Sequence, residues 1–142
     1  MPSSDPSILP TRIPRAEPVL DDSALTFSFK YLALEANPKF AIELCERDFF
    51  LALVTELHKW SGETVSAFCQ YDNARHSHYI HFDETSEPSG FCLPEQLDPE
   101  WFWQFSVGGS HSWRVHGFFI DSTFYIVWLD PNHNLYGTSD SV

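Results

Sequence analysis

The strongest constraint on this chain is a pair of apolar, alternating runs near its C-terminal end. Trp113 to Ile120 and Thr123 to Leu129 are rich in aromatic and β-branched residues, and only Asp121 and Ser122 separate them. That pattern reads as an antiparallel hairpin with a two-residue loop. Such a loop pairs Ile120 with Thr123, Phe119 with Phe124, Phe118 with Tyr125, Gly117 with Ile126, His116 with Val127, Val115 with Trp128 and Arg114 with Leu129. Val115, Gly117, Phe119, Phe124, Ile126 and Trp128 then make an apolar face expected under a helix. Arg114, His116 and Tyr125 are expected to project from the opposite face, which the helix leaves uncovered. A slip of one residue would reverse the assignment.

The rest of the chain supplies the layer for that hairpin. Leu25, Phe27, Phe29 and Tyr31 alternate with Thr26, Ser28 and Lys30, the period of a half-buried strand. Asn37 followed by Pro38 reads as a helix N-cap with proline at the first helical position. From there to Lys59, Phe40, Leu44, Leu51, Val54 and Leu57 keep helical spacing. Ser61 and Gly62 break the helix, and a short second helix is expected over 63–71. His76 to Phe82 and Trp101 to Val107 read as further strands, joined by an acidic loop through Glu100. Gly108 and Gly109 mark a turn. The sum is an α+β fold: one domain over 23–136, with a twisted antiparallel sheet of about five strands and one long and one short helix on one face.

The flanks differ in composition. Pro2, Pro6, Pro10, Pro14 and Pro18 punctuate residues 1–22, which read as an extended, disordered tail. Ile8, Ile13, Val19 and Leu20 are its candidate anchors on a partner. Residues 137–142 read as a frayed end.

Charge and cysteine content narrow the function classes. Eight Lys and Arg against twenty Asp and Glu give a net charge of -12, which argues against a surface that simply neutralises phosphates. Cys45, Cys69 and Cys92 are too few and too scattered for a disulfide scaffold or a four-thiolate zinc site. Buried thiols in a reducing, cytoplasmic setting are expected. There is no apolar run long enough to span a bilayer, and no basic-then-apolar leader pattern. No cofactor is expected.

The stretches Phe27 to Leu32, Trp103 to Ser106, Arg114 to Asp121 and Phe124 to Pro131 resemble a family of small bacterial proteins without assigned function, over about residues 25–136. The layout more remotely resembles the RelE/YoeB toxin ribonucleases, which place an Arg in a late strand and a His or Tyr at the C-terminal end. That resemblance implies a metal-independent endoribonuclease acting on ribosome-bound mRNA in a toxin-antitoxin pair. Arg114 would stabilise phosphate charge, and His133 and Tyr136 would form the end-of-chain polar pair.

Metal-free RNA cleavage needs a base, a cation for the phosphorane charge and an acid. His116 and Arg114 fill the first two roles, and His133, Tyr125 or Glu84 the third. A competing reading is a non-catalytic acidic interaction module that binds a basic partner through the same sheet. A third is a small metalloprotein, with His76 and His78 pointing one way from a strand. Phe102 and Gln104 are expected on the outward face of their strand, with Trp101 and Trp103 in the core.

Overall fold

A computed structural model describes residues 9–10, 23–34, 37–70, 77–108 and 112–136. His76, Gly109, the 137–142 end and all of the 1–22 tail except Leu9 and Pro10 lie outside the described residues.

The fold is α+β, built on a five-stranded sheet with one long and one short helix. The strands are β2 (Thr26–Ser28), β3 (His78–Tyr79), β5 (Trp101–Ser106), β6 (Arg114–Ile120) and β7 (Thr123–Asp130), in the order β2-β7-β6-β5-β3. Three of the four pairings are antiparallel, and β2 joins β7 in parallel, so the sheet is mixed. The parallel edge was not legible locally, because β2 meets its partner only after the rest of the domain has folded between them. A separate two-stranded pair joins β1 (Leu9–Pro10) to β4 (Cys92–Leu93). A proline fits there because such an edge does not need every backbone donor.

Helix α1 (Arg47–Trp60) buries Phe49, Leu53 and Trp60, and α2 (Val65–Gln70) buries Val65, Phe68 and Cys69. Both pack on one sheet face, against Trp101, Trp103, Phe105, Val115, Phe119, Phe124, Ile126 and Leu129. Gly62, at φ +86°, ends α1 and donates its N–H to the Leu25 carbonyl at 2.9 Å. That left-handed conformation, which glycine adopts without steric cost, ties the helix to the first strand of the sheet.

The long helix expected from Asn37 is shorter than its periodicity suggested. Asn37 does cap, accepting from the Lys39 N–H at 2.9 Å with Pro38 next in line. Two 3-10 turns follow, Pro38–Phe40 and Ile42–Leu44, and extended backbone at Ala41 and Cys45 interrupts them before α1 begins. The reason lies in packing. Phe40 stacks on Trp128 (centroids 4.4 Å apart) on one face of the sheet, while Phe49 packs with the core on the other. One straight helix would not deliver both rings, so the chain bends around the end of the sheet.

The sheet face away from α1 is also covered. Phe40, Ile80, Phe82, Phe91, Leu93 and Leu135 close over Phe102, Phe118, Val127 and Trp128. Strand β3 is accordingly short, with Phe82–Glu84 turning into a 3-10 segment that brings Phe82 onto Phe91 and Phe102. Phe102 and Gln104 do face away from α1, but they are buried there. The expectation of an open outer face is overturned by this second, irregular layer of aromatic side chains.

Candidate functional site: a sealed polar row

The Asp121-Ser122 loop has two residues, and Ile120↔Thr123 through Gly117↔Ile126 pair as the sequence suggested. Asp121 adopts φ 55°, consistent with the left-handed turn geometry that a short hairpin loop requires and that aspartate tolerates. Between His116 and Gly117 the register shifts, so that His116 faces Trp128 and Val127 is left over. This is a β-bulge, one extra residue on one strand. The Val127 carbonyl accepts the Ala33 N–H at 2.9 Å.

Beyond the bulge every β7 side chain changes face. Trp128, expected beneath the helix, packs on the opposite side, and Leu129 takes its place in the helix-side core. Asp130 thereby turns toward His116. The imidazole Nε2 donates to Asp130 Oδ2 at 2.9 Å, and Asp130 also accepts the backbone N–H groups of Asn134 (2.8 Å) and Leu135 (3.0 Å).

The same face carries polar groups from each neighbouring strand. Gln104 on β5 opposes His116, and His78 on β3 opposes Gln104. His78 Nδ1 donates to the Tyr79 carbonyl at 2.8 Å, and its Nε2 accepts from the Gln104 amide at 3.1 Å. Tyr136 packs edge-on to His78, with centroids 5.4 Å apart. Arg114 donates to the Trp113 carbonyl at 3.0 Å. The result is a row of His78, Gln104, His116 and Asp130 across four strands, with Arg114 beside it.

Burial governs the electrostatics. His116 and Asp130 are 0% exposed and Arg114 is 3% exposed, so none of them projects into solvent. This corrects the expected open surface. The side chains do lie on the face away from α1, but the 3-10 turn bearing Phe40 and the loop 131–136 roof them. Burial opposes the charge on Asp130, yet the hydrogen bond and charge of His116, with the two backbone donors, hold its carboxyl below the usual range. Burial lowers the pKa of His78. Its bond to Tyr79 works the other way, and the nearby His116, Arg114 and His81 push it down further. A neutral His78 fits its two bonds, one donated and one accepted.

The other sequence candidates are placed as follows. Tyr125 stacks on Phe118 (5.1 Å) beside Tyr31, five residues from Asp130 along β7, or about 16 Å at ~3.3 Å per residue. It does not join the row. His133 sits half-buried at φ 57° in the loop that Asp130 holds. Glu84 lies in the 3-10 segment after β3. As to a metal, His76 is outside the described residues, both ring nitrogens of His78 are engaged, and no group of three or more His, Cys, Asp or Glu among the described residues is arranged to hold an ion.

The sequence reading missed Asp130 and Gln104 as members of this set. A signal for Asp130 was present: an aspartate before proline and a polar turn often bonds its own downstream backbone. The bulge that aims it at His116 left no such mark. Comparison with protein families, with curated proteins and with solved structures finds no match for this chain.

Proposed function

We propose that the protein works as a non-catalytic, acidic interaction module. One observation carries this reading: among the described residues Arg114, His116 and Asp130, the groups suited to acid-base chemistry that the sheet brings together, are sealed inside. Asp130, bonded to His116 and to the backbone N–H groups of Asn134 and Leu135, fastens the 131–136 loop to the sheet, a structural task. Among the described residues every carboxylate but that of Asp130 is exposed or half-buried, in a chain of net charge -12, and exposed apolar side chains lie on the same surface. Charge of that sign steers basic partners and repels nucleic acid. No helix among the described residues is long and apolar enough to cross a membrane.

The test is titration with a synthetic amphipathic helix of leucine and arginine, beside a matched peptide with glutamate for arginine. Binding of the basic peptide alone, weakening between 50 and 300 mM salt and surviving His78→Gln and His116→Gln, is expected. Absence of binding at 50 mM salt overturns the reading.

A second reading, the RelE/YoeB-like toxin endoribonuclease acting on mRNA beside an antitoxin, is favoured by one feature. Among the described residues His116 Nδ1 has no hydrogen-bond partner, although it is buried and Asp130 orients the ring. A carboxylate-aligned imidazole with its second nitrogen unpaired, near an arginine, is the arrangement a general base requires. Substrate would reach it only if the Phe40 turn or the 131–136 loop moved aside. Growth arrest and mRNA cleavage on expression, both lost in a folded His116→Gln variant, would replace the module reading with this one.

A further inference from the structure

Resting on the module reading and deepening it, we infer that the edge of β4 is where the basic partner binds, as an added extended strand. The chain's own Leu9–Pro10 holds that edge in the free protein and gives way to the partner. The observation behind this is the pairing of β1 with β4, Leu9 opposite Leu93 and Pro10 opposite Cys92. Among the described residues β4 pairs with no other strand.

Strand β4 is a fixed platform. Phe91 and Leu93 are buried in the second aromatic layer, Phe91 against Phe82 (centroids 5.0 Å apart) and Trp128 (4.7 Å), while Cys92 between them is exposed. Side chains that alternate in this way anchor the strand and leave its backbone edge for pairing. Pro10 carries no N–H, so the alternation of an antiparallel ladder makes Leu9 and Leu93 the pair able to exchange N–H···O bonds. The nitrogen of Pro10 then turns away from β4, where a missing donor discourages a further strand. The tail thus finishes an edge that would otherwise invite another chain.

The contact is short, two residues on each side. A two-stranded pair of that size is marginal by itself and opens easily. What favours it is the tether: residues 11–22 join Pro10 to the domain, and short linkers give effective concentrations on the order of millimolar. Loose chains at micromolar concentration do not displace such a strand unless they bind better than it does.

Charge states what binds better. Residues 6–16, which include β1, carry Arg12 and Arg15 and no carboxylate, in a chain of net charge -12. Residues 83–100, which include β4, carry six carboxylates and no Lys or Arg; one of them, Glu87, meets Lys39 at 2.6 Å. The occupant seated on β4 is therefore an aliphatic residue in a basic stretch of sequence, laid on an acidic one. A partner of the same chemistry, extended and basic with an aliphatic residue in the place of Leu9, gains the same backbone pairing and the same charge attraction. The tail of a second copy would have to bring a whole chain of net charge -12 with it, which disfavours exchange between copies.

The experiment uses the full chain and a labelled peptide with the sequence of residues 6–16, followed by fluorescence anisotropy at 50 mM salt. Wild type is compared with Leu9→Pro, a change outside the 23–136 domain that removes the donor facing Leu93 and so releases the tail. The variant should bind the peptide about ten-fold more tightly than wild type, because its own strand no longer competes. Bound peptide should slow hydrogen exchange at the Leu93 amide of the variant about ten-fold. Peptides carrying Leu9→Pro, or Arg12→Glu with Arg15→Glu, should each bind the variant at least about five-fold more weakly. Equal affinity of wild type and variant, or exchange at Leu93 unmoved by the peptide, overturns the acceptor edge. So does a wild-type dimer that Leu9→Pro converts to monomer, which would give the strand to a second copy. In each of these cases salt-sensitive binding of the helical leucine-arginine peptide leaves the module reading standing; if neither peptide binds at 50 mM salt, both fall.

Discussion

His116 Nε2 stands 2.9 Å from Asp130 Oδ2 because β7 carries one extra residue, Val127, between the Gly117–Ile126 and His116–Trp128 pairs, which turns Asp130 to the face of His116. Without the extra Val127, Asp130 would fall on the helix side with Ile126. The bulge turns a surface-type carboxylate into a buried clamp that holds Asn134 and Leu135 by their backbone N–H groups.

Removing the carboxylate should therefore be costly. Asp130→Ala leaves a buried imidazole and two amide donors unpaired, and a loss of about 3–5 kcal/mol is expected. Urea unfolding measures it; a loss below about 1 kcal/mol would mean the clamp is structurally idle.

Gly117 sits beside the bulge with no room for a side chain. A Cβ there would run into the Tyr125 carbonyl oxygen and come within 2.7 Å of the Phe124 ring. Both belong to the packed core strand, so Gly117→Ala should destabilise by about 3 kcal/mol or leave the protein unfolded. A thermal melt unchanged from wild type would show that the strands can part there.

Phe40 is the roof over His116 and Trp128, with ring centroids 6.0 and 4.4 Å away. Phe40→Ala should cost about 3–5 kcal/mol as a truncated core aromatic. It should also quicken hydrogen exchange at the His116 and Trp128 backbone amides ahead of the helix-side core, because only one layer has been thinned. Equal acceleration on both faces would argue against two separately packed layers.

Stability should depend on pH through His78. Its folded pKa is lowered, so below about 6.5 the unfolded chain takes up a proton that the native protein does not. Stability is full above that pH and declines as pH falls from there toward the folded value. His78→Gln should flatten the slope between pH 7.5 and 5.5 in urea unfolding, and a slope equal to that of wild type would remove His78 from the pH dependence. Asp130 adds a second loss at lower pH: its folded pKa is depressed, so its contribution is present above about 3.9 and lost as pH falls through the folded value.

Thiol chemistry should single out one of the three cysteines. Burial, with help from the Asp130 charge, pushes Cys45 up to about 11, and burial pushes Cys69 higher still, whereas Cys92 is exposed on β4. Brief treatment with iodoacetamide at pH 7.5 should give one adduct by mass, absent in Cys92→Ser. Two or three adducts would show that the core opens.

Several features of this fold were legible in the chain itself. The alternation on either side of Asp121-Ser122 fixed the hairpin, Asn37 before Pro38 marked a cap, and Gly62 marked the end of the long helix, because each rests on contacts between near neighbours. The candidate site was legible only in part. Strand parity put Arg114 and His116 on the face away from α1, and that holds. Parity stopped at the bulge, so it misplaced Trp128 and Leu129 and did not reveal Asp130 as a partner.

What the sequence by itself determined is thus the local geometry and the sign of the surface charge, since both follow from residue type and spacing. Only the tertiary structure decided that β2 lies parallel to β7, that Phe40 crosses to the far side of the sheet, and that a second aromatic layer shuts the polar row away from water. Those outcomes depend on which distant surfaces meet. A side chain's period along the strand gives the face it takes, but what covers that face comes from residues far along the chain.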